Sequence, residues 1–118
     1  MQYMLLIYGE DGRSYSDEEL QSLYREYFKL GDDLRAAGKL VSSEELAPVT
    51  SATSIRVRNG DTLVTDGPFA ETKETLGGYY LIEADSLDEA IDWAARIPAS
   101  RDGTVEIRPI HDNSEYRE

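Results

Sequence analysis

Apolar positions divide the chain into four strand-like segments and two helix-like ones. The strand-like segments are Gln2–Tyr8, Lys39–Ala47, Gly77–Ala84 and Thr104–Ile110. In the first and third of these, apolar side chains occupy both faces of the strand, which is typical of strands that are covered on two sides. We therefore predict that these two strands lie in the middle of a sheet.

Two predicted capping boxes mark the starts of the helices. Ser16 and Ser86 are each followed by Glu three residues later, the spacing at which the two residues cap each other's backbone N–H groups. Leucine and tyrosine then recur at three- and four-residue steps, which predicts a helix over Asp17–Ala37 that stops at Gly38. The buried stripe predicted for the second helix consists of Leu87, Ala90, Ile91, Ala94 and Ile97.

A hairpin separates the two halves of the pattern. Ser54–Arg58 and Thr62–Thr65 alternate apolar and polar residues around Asn59-Gly60, a dipeptide typical of two-residue hairpin turns. Because arginines occupy its outward positions, we interpret this hairpin as an accessory arm. The complete order of elements predicts a ferredoxin-like βαββαβ sandwich of the α+β class. We expect one domain over residues 1–112 and a polar, frayed tail over residues 113–118.

Two helices cover only one face of a four-stranded sheet. The other face is predicted to expose side chains such as those of Met4, Leu6, Tyr8 and Tyr80. Exposed apolar patches of several hundred Å² usually mark an interface. We therefore expect this face to pack against a second copy of the chain in a two-fold homodimer. The alternative is a monomer with an apolar groove for a ligand.

Composition and charge narrow the classes of function. The 118 residues contain no cysteine and one histidine, His111, so disulfides and thiolate catalysis are excluded, and any metal site would depend on carboxylates. No cofactor is expected. The net charge of −12 repels nucleic acids and anionic membranes. The opening MQYMLLIYGE has no basic leader, and no apolar run reaches the roughly 18–20 residues of a membrane span, so we expect a cytoplasmic protein.

A series of short motifs resembles the YCII-related family, in particular its DGPF type. These motifs, in order, are YMLLIYG at Tyr3–Gly9, LRAAGKLV at Leu34–Val41, VTDGPFAETKETLGGYY at Val64–Tyr80, GGYYLIEA at Gly77–Ala84, DEAIDWAARIP at Asp88–Pro98 and GTVEIRPI at Gly103–Ile110. The resemblance implies a dimeric α+β barrel, in which two ferredoxin-like subunits pack sheet to sheet. It also implies a regulatory link to an extracytoplasmic-function sigma factor, because DGPF proteins are often encoded beside such factors.

The resemblance bears on catalysis only in part. The family's activity is largely unassigned, but the broader group is associated with a His–Asp pair, and some relatives look like lyases or dehydrochlorinases. Asp66 matches the Asp of the motif, whereas the first helix contains no histidine and His111 lies beyond the last strand. The acidic half of the pair can therefore be carried over, but the imidazole half cannot.

The tetrad Asp66-Gly67-Pro68-Phe69 admits two interpretations. As a turn, Asp66 accepts a backbone hydrogen bond, Gly67 adopts dihedral angles that other residues avoid, and Phe69 fills a hydrophobic gap. As a site, Asp66 is a partly buried carboxylate at the rim of a cleft and acts as a general base.

The candidate ligand-binding residues are Tyr8, Asp66, Phe69, Glu71, Lys73 and Tyr80. Lys73 would neutralise a bound carboxylate or phenolate, and Glu71 would increase the basicity of Asp66, although solvated surface charge also explains both. Most tyrosines are expected to be packing residues of the core, and some to line a cleft between the first helix and the sheet. These observations leave two candidate functions. The first is a protein that binds a small molecule in a cleft near the DGPF loop, with or without lyase-type proton transfer. The second is a non-catalytic module that contacts a sigma factor.

Overall fold

The computed structural model describes residues 1–10 and 12–117 and has mixed α+β architecture. The strands are β1 (Gln2–Glu10), β2 (Leu40–Glu45), β3 (Thr53–Arg58), β4 (Asp61–Asp66), β5 (Glu74–Glu83) and β6 (Thr104–Pro109). The helices are α1 (Asp17–Ala36) and α2 (Leu87–Ala94), and short 3₁₀ turns occur at Val49–Ser51, Pro98–Arg101 and Ser114–Tyr116. The last of these turns lies in the segment for which the sequence predicted a frayed tail.

Four strands form an antiparallel sheet in the order β2-β5-β1-β6, and β3 pairs only with β4. The two strands that are apolar on both faces, β1 and β5, are therefore the central ones, as predicted. No helix within the described ranges is long and apolar enough to cross a membrane.

The core lies between one face of the sheet and the two helices. Its buried members are Tyr3, Leu5, Leu30, Leu34, Tyr80, Ile82, Ala84, Ala90, Ala94 and Ile97. Each fully buried leucine or isoleucine stabilises the fold by about 2 kcal/mol. Tyr80 is paired with Leu5 across β1 and β5, so its side chain lies on the helix-covered face. The prediction that Tyr80 lies on the bare face is wrong, and alternation assigns that face to Met4, Leu6, Tyr8, Tyr79 and Leu81.

The helix starts are capped differently. At α1, Ser16 Oγ accepts from the N–H of Glu19 at 3.1 Å, and Glu19 Oε1 accepts from the N–H of Ser16 at 3.0 Å, which completes the predicted capping box. At α2, Ser86 Oγ accepts from the N–H of Glu89, but the Glu89 carboxylate accepts from the N–H of Asp85 at 2.7 Å. The second predicted capping box is therefore wrong in its reciprocal half.

The buried stripe of α2 is narrower than predicted. Ala90 and Ala94 are buried against the sheet, whereas Leu87 and Ile91 are 51% and 45% exposed. The two alanines form the contact line of this eight-residue helix, and the larger side chains flank that line. The prediction that Leu87 and Ile91 are buried is wrong for this reason.

A β-bulge shapes the central strands where β5 begins. Ile7 pairs with Gly78, but Tyr8 pairs with Leu76, so Gly77 is an extra residue on β5. A Cβ at position 78 would lie 2.7 Å from the carbonyl oxygen of Glu44. Gly77 therefore forms the bulge, and Gly78 permits the close approach of β2.

The arm, defined here as β3, its turn and β4 (residues 53–66), is distinct from the sheet. Asn59 and Gly60 have φ of 53° and 82°, the left-handed pair that a type I′ hairpin turn requires. Every arm residue except Ser54 is exposed. The chain's radius of gyration is 16.7 Å, against about 13 to 14 Å for a compact domain of this length. Its surface of 8669 Å² exceeds the compact value of about 6,500 Å² by roughly 2,200 Å².

Candidate functional site

A broad groove lies between α1 and the end of the sheet where β1 and β2 finish and β5 begins. Its volume is about 1680 Å³, larger than the roughly 300–1,000 Å³ of a typical small-ligand pocket. The groove lies where a cleft between the first helix and the sheet was predicted. The residues of one chain do not enclose it.

Aromatic residues make up much of the groove lining. Tyr15, Tyr24, Tyr27, Phe28 and Tyr80 belong to it on the helix-covered side, and Tyr8 and Tyr79, whose side chains alternation assigns to the bare face, belong to it at the end of the sheet. The rings of Tyr24 and Phe28, one helical turn apart, lie with their centroids 6.0 Å from each other. The hydroxyl of Tyr24 donates to the carboxylate of Glu45, 2.9 Å from either oxygen, and this bond raises the pKa of Tyr24. It also ties α1 to the end of β2 across the groove.

The inner wall of the groove holds the buried phenol of Tyr80 and the partly buried phenol of Tyr27. Tyr80 Oη donates to the backbone carbonyl oxygen of Tyr27 at 2.9 Å. Burial raises the pKa of Tyr80 to about 12 and also raises the pKa of Tyr27. Both hydroxyls are therefore neutral at physiological pH, and the hydroxyl of Tyr80 is already engaged with the backbone of α1.

Every basic side chain that lines the groove has an acidic partner. Arg13 pairs with Asp102, and a hydrogen bond with Tyr15, followed by the bond and charge of Asp102, raises the pKa of Arg13. Arg101 Nη2 lies 3.1 Å from Oε1 of Glu26. The third basic residue of the lining is Arg35.

Arg35 pairs with Asp32 at 3.1 Å on the surface of α1. Five further carboxylates belong to the lining: Glu10, Glu18, Glu19, Glu44 and Glu45. The groove therefore carries an excess of negative charge, which raises the local concentration of cations and lowers that of anions. Within the described ranges, no group of three or more His, Asp or Glu side chains is placed to hold a metal ion.

The sequence-predicted site residues fall into two sets. Tyr8 and Tyr80 line the groove, whereas Asp66, Phe69, Glu71 and Lys73 lie outside the lining formed by the described residues of one chain. Lys73 lies beside the groove, because its Nζ is 3.8 Å from Oε1 of the lining residue Glu10.

Two expectations about the DGPF tetrad are wrong for the single chain. Phe69 is 79% exposed and fills no hydrophobic gap. Asp66 is exposed at the end of β4, so the partial burial expected for it is absent, and its carboxylate accepts none of the hydrogen bonds found among the described residues. Both side chains follow the exposed arm and have no wall of the same chain against them.

The backbone of Gly67 agrees with the turn interpretation of the tetrad, but the backbone hydrogen bond expected at the carboxylate of Asp66 is not found among the described residues, so that part of the interpretation is wrong. Gly67 has φ of 103°, a conformation that residues with a Cβ rarely adopt. Its N–H donates to the carbonyl oxygen of Ala52 at 2.7 Å, and its own carbonyl oxygen accepts from Ser54 Oγ at 2.8 Å. The tetrad thus closes the base of the arm.

Sequence reasoning did not single out the polar partners of the groove. Arg13 and Asp102 are 89 residues apart, and Tyr24 and Glu45 are 21 apart. Such pairs are brought together by the fold and leave no local pattern. The tyrosines of α1, in contrast, had the helical spacing from which a cleft was predicted.

Comparison with known proteins gives two matches that cover most of the chain. A model of the YCII-related domain matches residues 1–114. The chain is also similar to the uncharacterised protein R00369 of Rhizobium meliloti strain 1021, with 40% identity over 114 residues that cover 93% of this chain and 92% of that protein.

Proposed function

The chain belongs to the YCII-related domain family, and from this premise we propose that it binds a small neutral or cationic aromatic molecule in the groove between α1 and the sheet. The observation that carries the proposal is the combination of five aromatic residues on the helix-covered side (Tyr15, Tyr24, Tyr27, Phe28 and Tyr80) with an excess of carboxylates in the lining of one groove. Aromatic walls bind an aromatic ring through stacking and edge contacts, and they also attract a cation.

The charge of the groove decides between classes of aromatic ligand. Its three arginines are already paired with carboxylates, so a ligand carboxylate or phosphate would have to displace an existing ion pair. An ammonium group, in contrast, would meet Glu18, Glu44 or Glu45 along the wall. A phenol or an aromatic amine is therefore favoured over an aromatic acid.

A second copy of the chain is part of the proposed binding unit. The bare sheet face carries Met4, Leu6, Tyr79 and Leu81, and a stable interface covers about 800 Å² on each partner. The roughly 2,200 Å² by which the chain exceeds a compact surface is enough for such a contact. We propose a homodimer through this sheet face.

Catalysis would depend on the DGPF loop. Asp66 is the proposed general base for a cofactor-independent, lyase-type proton transfer, with Phe69, Glu71 and Lys73 beside the ligand. Since these residues lie outside the groove of their own chain, this part of the proposal requires that the second copy supplies them.

A regulatory module that contacts a sigma factor is the second candidate function. The net charge of −12 favours it, because an acidic surface attracts a basic protein partner. The exposed arm also favours it, because it offers a surface for contact. A pull-down with such a factor at low salt tests it, and recovery of no factor would count against it.

The binding proposal is tested by thermal shift with three compounds that share a phenol ring: tyramine, p-cresol and 4-hydroxyphenylacetate. We expect tyramine and p-cresol to raise Tm and the acid to leave it unchanged. Phe28→Ala removes an exposed ring from the groove wall and should abolish the shift, whereas Tyr116→Ala, which removes an exposed ring of the tail outside the wall, should leave it unchanged. Loss of the shift in Phe69→Ala alone would place the ligand at the DGPF loop, and no shift with any compound would contradict the proposal.

The homodimer is tested separately by sedimentation at micromolar concentration. A single species near 13.3 kDa contradicts it, and one of twice that mass supports it. Leu6→Glu adds a charge to the bare face directly opposite Glu106 and should convert the dimer to monomers. A dimer that persists in this variant would show that the copies associate through another surface.

A further inference from the structure

We propose that the arm of each chain packs its apolar face against the α1 wall of the groove in a second copy, so that each chain closes the groove of the other. The inference rests on the proposed homodimer and deepens the proposed binding function, because it names what covers the open groove.

The two faces of the arm differ sharply. Cross-strand pairing places Ile55 beside Val64 and Val57 beside Thr62 on one face. The opposite face carries the charged side chains of Arg56, Arg58 and Asp61, together with Leu63. Ile55 and Val64 are 65% and 64% exposed, although such residues favour buried positions.

An isolated two-stranded ribbon is marginally stable in water. Its exposed apolar face is also a liability, because such surfaces promote aggregation unless they are covered. The ribbon nevertheless has well-formed pairing from Thr53 to Asp66 and a specific type I′ turn. A ribbon with these features is typical of a segment that packs against another surface.

The groove offers a surface that matches the arm. Leu20, Tyr24 and Phe28 recur every four residues on α1 and form one stripe, and all three are exposed and line the groove. The stripe is about 12 Å long, since eight residues of helix rise 1.5 Å each. A six-residue strand is about 20 Å long, so the arm can cover the whole stripe.

Charge favours the arm as the occupant of this surface. Residues 53–66 contain two arginines and two aspartates, so the arm is neutral within a chain of net charge −12. Most other segments of a second copy would bring further negative charge to the acidic groove. When the apolar face of the arm contacts α1, Arg56 and Arg58 on its other face remain free to approach the surrounding carboxylates.

The geometry of a two-fold dimer allows both arms to dock at once. Each copy has one arm and one groove, so two reciprocal contacts close the assembly and leave no free arm. The excess surface of about 2,200 Å² is larger than the roughly 800 Å² of one standard contact, which leaves area for the arm as well as the sheet face. Because Asp66 ends β4, arm docking would also bring the DGPF loop toward the partner's groove.

Engineered cysteines test the contact directly, because the chain contains none of its own. Chains carrying Val57→Cys are mixed with chains carrying Leu20→Cys, oxidised, and separated on a non-reducing denaturing gel. We expect a cross-linked pair of twice the chain mass. Leu63→Cys mixed with Leu20→Cys is the matched control, since Leu63 lies on the opposite face of the same arm. Each variant alone should cross-link at least tenfold less than the Val57–Leu20 mixture.

Three results would overturn the proposal. Equal cross-linking of Val57→Cys and Leu63→Cys would show that the arm has no preferred face. An intrachain disulfide in the Leu20→Cys/Val57→Cys double variant, without interchain product, would show that the arm folds onto its own chain. Absence of any cross-link also overturns it.

A second measurement separates this proposal from the binding function and the sheet dimer. Ile55→Ser/Val64→Ser should weaken dimerisation and p-cresol binding at least fivefold, whereas Leu63→Ser should change neither. If the double variant dimerises and binds p-cresol as the wild type does, the arm proposal fails and the sheet dimer and groove stand. If the wild type binds none of the three phenols but the cross-link forms, the arm contact stands and the binding function fails.

Discussion

The hydroxyl of Tyr80 and the backbone carbonyl oxygen of Tyr27 are joined by a hydrogen bond of 2.9 Å that connects the central strand β5 to the middle of α1. The bond lies at the inner wall of the groove, so it links the packing of the core to the shape of the candidate site. The bond requires a protonated Tyr80 hydroxyl as its donor. Burial raises the pKa of Tyr80 to about 12, so the hydroxyl keeps this proton at physiological pH.

Alkaline pH should therefore destabilise the protein through Tyr80. The folded-state pKa of about 12 is higher than the ordinary 10.0, so the stabilisation is complete below pH 10 and is lost as the pH rises from 10 toward 12. A shift of two units corresponds to about 3 kcal/mol. In Tyr80→Phe, urea denaturation should show about 1 kcal/mol less stability at pH 7 and a flatter dependence above pH 10. The exposed Tyr116→Phe is the control, and an unchanged slope in Tyr80→Phe would contradict the assignment.

Acid pH should act through Glu89. The N–H of Asp85, then the indole N–H of Trp93, then Lys39 lower the pKa of this carboxyl below its ordinary 4.5. Its contribution is therefore present above pH 4.5 and is lost as the pH falls through the lowered pKa. Glu89→Gln should be less stable than wild type at pH 7, and the two denaturation midpoints should converge as the pH falls below the lowered pKa. Midpoints that stay equally far apart at every pH would contradict this, and Glu115→Gln in the exposed tail is the control.

Adjacent glycines should differ in their tolerance of alanine. In Gly78→Ala the new Cβ would meet the carbonyl oxygen of Glu44 at 2.7 Å, which forces edge strand β2 away from β5. In Gly77→Ala the nearest contact is at 3.9 Å, an ordinary distance. We expect a loss of about 2–3 kcal/mol in the first variant and less than 1 kcal/mol in the second, measured by chemical denaturation. Equal losses would show that the close approach does not limit residue size at position 78.

The base of the arm should depend on Gly67. Its φ of 103° costs about 1–3 kcal/mol for a residue with a Cβ, so Gly67→Ala should disorder the arm while the sheet persists. Nuclear magnetic resonance spectra should then show shifted signals for residues 53–66 and unchanged signals for β1 and β5. Gly31→Ala is the control, because a Cβ there meets nothing within 4 Å and alanine favours the helix. An arm with wild-type signals in Gly67→Ala would contradict the structural role of the turn.

Much of the fold was predictable because its strongest signals are local. Apolar side chains on both faces of a strand identified the central strands β1 and β5. Asn59-Gly60 identified the hairpin, and Ser16 identified the start of α1. The side on which Tyr80 lies was not predictable in this way. A strand that is apolar on both faces does not reveal which face the helices cover.

The candidate site was predictable only where one element supplies the pattern. The tyrosines of α1 predicted a cleft, but the pairing of Arg13 with Asp102 required the fold. Exposure of Phe69 and Asp66 was also unpredictable, since the DGPF motif describes a turn and carries no information on what lies opposite it.

The arm's backbone amides have consequences for hydrogen–deuterium exchange. Those that bond across the ribbon depend on its pairing alone, so the ribbon can open and take up deuterium while the central sheet stays folded. In dilute solution these amides should exchange far sooner than those of β1 and β5. A slowing of arm exchange as protein concentration increases would then report association of the copies at individual residues, without any label or substitution.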